Sequence, residues 1–347
     1  MLVLISGTVL GYLSVDEYKP AAVEDAIVLG SSDNKVKTDT SMRIMTWNLG
    51  YGGLGDNADF FMDGGKMVIT ADEKRFFQNL DAIKTEIEKA EPDLLFVQEI
   101  DISSSRSFFT DESAYLVNNS YARAFDGQYA YATNIRVSFI PIPIPPLGKM
   151  ESGVEIFTNY KCNSARRVQL PCPYKWPMST INFKRCVEVM RMPVEGSDKE
   201  LVLMNLHLEA YDNGEGKAAQ ADKLKELLMA EVDRGNYVIA GGDFNQVFSS
   251  VDISAYPVHE GTWQPGSFDA SELGDELEFY TDASKPTCRS LDKVLATAPG
   301  KDPSDFQYYV LDGFIVSSNI EVENVETHDL GFVATDHNPV IMDFKLK

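Results

Sequence analysis

Apolar, strand-forming runs that end on a polar, reactive residue constrain this chain more than any other feature. Met42-Arg-Ile-Met-Thr-Trp leads to Asn48, and Asp93-Leu-Leu-Phe-Val leads to Gln98-Glu99. Leu201-Val-Leu-Met-Asn-Leu delivers His207, and Tyr237-Val-Ile-Ala-Gly-Gly delivers Asp243 and, two residues on, Asn245. Asp312 interrupts the run Tyr-Tyr-Val-Leu-Asp-Gly-Phe-Ile-Val. Asp336-His337 stands just before Val340-Ile-Met-Asp-Phe, in a chain with only 4 histidines. Any one of these has an ordinary structural explanation, since Asn and Asp form turns at strand ends. Asp312 is the exception. An acid inside an apolar run is costly to bury unpaired, and a histidine is its natural partner.

The remaining pattern is that of sheets covered by helices. Residues 72–91 place Phe76, Phe77, Leu80, Ile83 and Ile87 at helical spacing, and Pro92 stops the helix. A second helix is predicted over 217–233, with Leu224, Leu227, Leu228 and Val232 on one side. Strands are predicted over 153–158, 184–192, 201–207, 237–243, 309–316, 320–327 and 340–346. Strands outnumber helices, and two helices fall between strands. Residues 137–148 (VSFIPIPIPPLG) alternate proline with large apolar side chains, which excludes a central strand. A rigid packed loop is the structural reading, and a surface touching lipid or substrate the functional one.

The chain has 347 residues, 44% of them hydrophobic, and a net charge of −22. That charge repels polyanions, so the chain has no strong nucleic-acid electrostatic signature. Arg166, Arg167, Lys184 and Arg185 are read as scattered surface charge. Residues 1–13 are strongly apolar and too short to span a bilayer, and are read as the remnant of a membrane anchor. Residues 14–41 are then a tether, and 42–347 a single domain. Cys162, Cys172, Cys186 and Cys288 lack C-x-x-C spacing, which argues against zinc. Their disulfide state stays open.

Taken together, the strand-end residues suit metal-assisted phosphoester hydrolysis. Hard oxygen donors such as Glu99, Asp336 and Asn48 suit Mg²⁺, with Mn²⁺ or Ca²⁺ as alternatives. Two histidines and two amides are left to hydrogen-bond a phosphate.

The segments Thr-Trp-Asn48-Leu, Val-Gln-Glu99, Asn-Leu-His207-Leu, Gly-Gly-Asp243-Phe-Asn245, Leu-Asp312-Gly-Phe-Ile-Val and Thr-Asp336-His337-Asn-Pro-Val also carry a resemblance. In their order and spread, the chain resembles the endonuclease/exonuclease/phosphatase superfamily, the deoxyribonuclease I-like fold. The resemblance implies an α/β four-layer sandwich, with two central, mainly antiparallel sheets flanked by helices and an active site at one edge. It implies Glu99 as main metal ligand, with Asn48 and Asp336 beside it. Asp243 would orient or deprotonate the attacking water, and Asn245 would hold the phosphate. His337, oriented by Asp312, would contact the scissile phosphate, and His207 would be a second phosphate-binding histidine. Tyr131 and Asn134 are candidates for lining the substrate site, with a turn or edge-strand role as the alternative. Thr335 stands where many members have Ser, and Gly313 where branches often place an aromatic or basic residue.

The expected protein is a monomeric, metal-dependent phosphodiesterase held outside the cytoplasm near a membrane surface, a cytoplasmic location being the alternative. The rival activities are a nuclease on DNA or RNA and a sphingomyelinase-like or phosphoinositide phosphatase activity. The rival of another class is a non-catalytic binding module with the same fold.

Overall fold

The runs read as strands pair into two seven-stranded sheets in a computed structural model, which describes residues 2–118 and 127–347. Met1, the first residue of the expected anchor remnant, lies outside the described residues. In chain order, α1 (Leu2–Asp16) precedes β1 (Val23–Ala26), β2 (Val28–Gly30) and β3 (Met42–Asn48). Then come α2 (Glu73–Ala90), β4 (Leu94–Asp101), α3 (Glu112–Asn118), β5 (Gln128–Ile140), β6 (Gly148–Thr158) and β7 (Ser164–Gln169). β8 (Cys186–Pro193), β9 (Glu200–His207), α4 (Glu215–Val232), β10 (Tyr237–Asp243), β11 (Gln246–Phe248) and β12 (Gly266–Phe268) follow. The chain closes with β13 (Leu277–Tyr280), β14 (Cys288–Arg289), β15 (Tyr308–Tyr309), β16 (Asp312–Ser317), β17 (Ile320–Thr327) and β18 (Val340–Leu346).

The first sheet runs β1-β7-β8-β9-β10-β16-β13, and the second β17-β18-β3-β4-β6-β5-β2. Each is antiparallel except for one pair, β9–β10 in the first and β3–β4 in the second. Parallel neighbours need a crossover connection, and here both crossovers carry the long helices, α4 and α2. The apolar runs are continuous because each central strand is buried on both faces. Ile44, Phe96, Leu203, Ile239 and Phe314 pack between the sheets. Met45, Trp47, Leu95 and Val97 point the other way, onto Phe76, Leu80, Ile83 and Ile87 of α2. Val202, Met204 and Val238 meet Leu224 and Leu228 of α4. Four layers result: helix, sheet, sheet, helix.

α2 has the ends its sequence called for. The Asp72 carboxylate accepts from Arg75 N at 2.8 Å, Glu91 takes a left-handed φ of 47°, and Pro92 follows.

The segment read as a tether is drawn into the fold. β1 pairs with β7 and β2 with β5, so residues 23–30 run from one sheet edge to the other. Val36 is fully buried and bridges Val194, and Thr38 bridges Leu346. Edge strands are half exposed, so β1 (Val-Glu-Asp-Ala) lacks the apolar run that marks a central strand. The basic cluster also differs from the expectation of surface charge. Arg167 is buried and donates to the carbonyls of Thr133 and Lys184, and Lys184 pairs with Glu17 at 3.0 Å. Only Arg166 is an exposed ion pair, with Asp25. All four cysteines are free thiols. No helix of the described residues is long and apolar enough to cross a membrane.

Candidate active site

Sheet register brings distant residues together. The parallel pairing of β9 with β10 sets His207 beside Asp243, and the antiparallel pairing of β10 with β16 sets Asp243 beside Asp312. The three form one row at a sheet end. Gly242 precedes Asp243 at a φ of +143°, where an added Cβ would lie 1.9 Å from Leu206 O, so the β9–β10 approach requires glycine there.

The second sheet supplies Asn48 at the end of β3 and Glu99 from a bulge in β4. Gln98 pairs with Val154 and Ile100 with Gly153, leaving Glu99 as the extra residue, at a φ of 51°. Strict alternation would have turned Glu99 with Val97 towards α2. The bulge re-aims it into the pocket instead. The Asn48 amide donates to Glu99 Oε1 at 3.2 Å and to Asp243 Oδ2 at 3.1 Å, so it ties the two sheets' acids together. Its oxygen accepts from Gly50 N at 3.0 Å. In this arrangement Asn48 holds the acids in place through its amide nitrogen.

Residues 335–337 lie across the ends of both sheets. Thr335 Oγ1 donates to Asn48 O at 3.0 Å, and the Trp47 indole N–H donates to His337 O at 2.9 Å. His337 Nδ1 bonds Asp312 Oδ2 at 2.9 Å, which is the partner Asp312 required. His207 Nε2 and His337 Nε2 lie 3.3 Å and 3.7 Å from the same oxygen, Asp243 Oδ2. Asn245, also at a left-handed φ of 51°, donates to Leu208 O at 2.9 Å and lines the same pocket.

The electrostatics divide the roles. Burial opposes a charge on His337, but Asp312, with Asp243 adding to it, outweighs burial and raises its pKa well above the ordinary histidine value. Burial holds His207 well below that value, and Arg185 and His337 add to the effect. The imidazoles are thus one cation and one neutral ring. Burial pushes Asp243 up to about 7, against the pull of His337 and with the help of Asp312. A carboxylate in that range suits a general base near neutral pH. Asp336 is pushed up to about 6 by burial, with Glu99 adding to it and His337 opposing it.

Glu99 and Asp336 fit a hard divalent cation. Among the described residues, neither forms an ion pair with Lys or Arg, although both face the pocket. One or two carboxylates with water completing the shell is the Mg²⁺ pattern. Cys288 Sγ also lies within 4.8 Å of ligand atoms of Asp336 and His337. Burial pushes that thiol up to about 12, so it stays neutral and is a poor donor for a hard ion.

Sequence reasoning missed Arg185. It is 4% exposed, lines the pocket, and its Nε and Nη1 have no hydrogen-bond partner. Its guanidinium carbon sits 4.4 Å from the Phe183 ring centre. A buried guanidinium with free donors is an anion site in waiting. In the sequence it stood only in the basic cluster read as surface charge, at the head of a buried run. Asp63 was missed too. It takes hydrogen bonds from the Tyr211 hydroxyl at 3.2 Å, and burial followed by Asp336 pushes it up to about 7.

Tyr131 and Asn134 do not line the pocket. Asn134 Oδ1 accepts from Cys186 N at 3.0 Å, and its backbone O accepts from Lys184 N, so it stitches β5 to β8. Tyr131 lies beside Gly153 within the second sheet. The pocket, about 350 Å³, is instead lined from that region by Ile135, Ile140, Leu147 and Met150.

A family model described as "Endonuclease/Exonuclease/phosphatase family" matches residues 45–337, from β3 to the last histidine of the site. The chain belongs to this family. Its members' fold recurs in solved structures. An endonuclease/exonuclease/phosphatase from Beutenbergia cavernae DSM 12333 is 16% identical, covering 88% of this chain and 72% of that one, with a TM-score of 0.60. The human Nocturnin catalytic domain, solved with bound sulfate, is 16% identical over 93% of this chain and 98% of that one, with a TM-score of 0.54. A family protein from Bacteroides vulgatus is 14% identical over 89% and 100%, with a TM-score of 0.53. At such identities the likeness shows the fold alone. Among curated proteins, none matches this sequence.

Proposed function

We propose that the protein is a divalent-metal-dependent phosphodiesterase whose substrate carries an apolar group. The observation that carries the reading is the convergence on Asp243 of two oppositely tuned histidines, with Asp312 behind His337 and the Glu99–Asp336 pair beside them. A cation held by Glu99 and Asp336 would supply positive charge to the phosphate and the leaving oxygen. The rest of the chemistry belongs to this chain's own residues. Asp243 takes a proton from water, whose oxygen attacks phosphorus opposite the departing alcohol. The P–O bond to that alcohol breaks, its electron pair stays on the leaving oxygen, and that oxygen takes a proton from solvent water while Asp243 returns its own to solvent. His337 donates to a non-bridging phosphate oxygen, His207 and Asn245 orient the group, and Arg185 offers its free N–H donors to the same anion.

The substrate class rests on the pocket wall. Ile135, Ile140, Leu147, Met150, Ile181 and Phe183 form one apolar cluster that opens into the pocket. Such a wall suits hydrocarbon, and a chain of net charge −22 is ill suited to a polyanion. A lipid phosphodiester meets both conditions. The test is hydrolysis of a phosphatidylcholine- or sphingomyelin-type diester, plasmid DNA, single-stranded RNA and an aryl phosphodiester, each with Mg²⁺, Mn²⁺, Ca²⁺ or chelator. Metal-dependent turnover of the lipid in preference to DNA and RNA supports the reading. Turnover unaffected by chelator would overturn the metal assignment, and preference for DNA or RNA would overturn the substrate.

A further inference from the structure

The apolar end of the pocket continues onto the molecular surface. Ile142 and Met178 line the pocket and are also exposed. Around them stand apolar side chains that line nothing: Ile144, 92% exposed, in the turn between β5 and β6; Phe139 and Trp176; and Val15, 90% exposed, near the end of α1. These come from three segments far apart in sequence, and hydrogen bonds tie the segments together. The Trp176 indole N–H donates to Ser14 Oγ at 2.9 Å. The Asp16 carboxylate accepts from the backbone N–H and the hydroxyl of Ser138, both at 2.7 Å. Glu17 pairs with the nearly buried Lys184 at 3.0 Å. α1 is therefore fixed beside the 3-10 turn Met178–Ile181, at the mouth of the pocket.

Two properties of this surface identify what covers it. α1 reads Leu-Val-Leu-Ile-Ser-Gly-Thr-Val-Leu-Gly-Tyr-Leu-Ser-Val-Asp, without a charge before Asp16, and is apolar around its whole circumference. Of its residues 7–15, only Leu13 is buried. A helix that is apolar all round belongs in a protein core or in hydrocarbon, and of residues 7–15 this one gives a core only Leu13. At about 22 Å, residues 2–16 are shorter than the roughly 30 Å hydrocarbon core, so by themselves they enter a bilayer without crossing it. The second property is charge. Arg136 and Lys175, in the same segments, are exposed, Lys184 offsets Glu17, and among the described residues Asp16 is the one acid here left without a cation. In a chain of net charge −22, these segments hold three cations, Arg136, Lys175 and Lys184, against two acids, a local excess of positive charge where a layer of lipid phosphates would lie.

We propose that α1, the β5–β6 turn and the Trp176 segment form one docking surface that seats the mouth of the pocket on a lipid bilayer. The arrangement shortens the path of a lipid from the bilayer to the pocket, yet the docking does not depend on hydrolysis. It is tested by flotation of the full chain with phosphatidylcholine vesicles, alongside Ile144→Asp and Val15→Asp, two exposed positions in different segments. The wild type floats with the vesicles. Each variant, with an unchanged far-UV circular dichroism spectrum, partitions about tenfold less. Neither variant alters turnover of a soluble aryl phosphodiester, since neither side chain lines the pocket. Flotation by a wild type that hydrolyses nothing would still uphold the docking while sinking the phosphodiesterase reading. Failure of the wild type to float, or equal flotation of wild type and both variants, would overturn it. So would a wild-type dimer that vesicles do not dissociate and either variant does, because the occupant would then be a second copy of the chain.

Discussion

The two ends of the pocket are built in opposite ways. At the polar end, most side chains are fixed by sheet register or by a left-handed backbone position: His207, Asp243 and Asp312 by strand pairing, Glu99 and Asn245 by φ values near 50°, while His337 is held by its bonds to Asp312 and Trp47. At the apolar end, the lining comes from the ends of β5 and β6, the turn between them and the irregular segment 170–185, and several of its side chains reach solvent. The difference teaches a division of labour. Charge stabilisation needs fixed distances, which strands with neighbours on both sides and a hydrogen-bonded segment such as 335–337 provide. Accommodation of hydrocarbon is non-directional and scales with buried area, so looser segments suffice.

The comparison predicts large, substrate-independent losses at the polar end. His337→Ala should lower kcat by about 10³-fold on every substrate, with a small change in KM, since it removes the cation facing the phosphate. Steady-state kinetics on the aryl and lipid diesters check it; a loss confined to one substrate would move His337 out of the common machinery.

A buried acid that faces neither end separates frame from chemistry. Glu155 is pushed up to about 8 by burial, and its Oε2 has no hydrogen-bond partner. The folded state therefore keeps this proton through a pH range in which the unfolded chain, with a carboxyl near 4.5, loses it. Its contribution to stability is full below about pH 4.5 and is lost as pH rises towards 8, on the order of 5 kcal/mol. Glu155→Gln should flatten that decline, as read from urea midpoints at pH 5 and pH 8, without altering kcat. An unchanged decline would show that Glu155 ionises normally.

Asp312→Asn should cost about 10² in kcat, less than loss of the imidazole, because the ring remains but loses the carboxylate that charges and orients it. Equal losses for Asp312→Asn and His337→Ala would mean that the pair works only as a unit. Removing residues 1–40 strips β1, β2 and the buried Val36 from both sheet edges. It should destabilise the domain by about 2 kcal/mol or more, whereas a tether would leave the melting temperature unchanged. The smallest effect belongs to the apolar end. Ile181→Ala should raise KM for a long-chain lipid diester about tenfold and leave the aryl diester untouched. Equal effects on both substrates would blur the division between the ends.

Most of the sandwich was legible because its central strands are buried on both faces and so read as continuous apolar runs. β10, β17 and β18 fall at the residues the pattern marked. The polar strand ends were legible for the same reason, as each breaks an apolar run. β1 and β2 were not, since an edge strand gains its pairing from a neighbour distant in sequence and needs no apolar signature of its own. Arg185 was hidden likewise: whether an arginine is solvated or buried with free donors depends on what packs over it. Asn134 shows the converse, a polar residue beside the site whose amide is consumed in joining two strands.

The sequence by itself determined the residue types at the strand ends, the boundaries of α2 and, within two residues, of α4, and the need of Asp312 for a partner, because burial patterns act over a few neighbours. Only the tertiary structure decided which oxygens and nitrogens meet. His337 and Asp312 are 25 residues apart, and Asn48 and Asp243 are 195 apart. Their distances follow from pairing register and from one bulge at Glu99, and a one-residue slip in either would turn these side chains to the other face of the sheet.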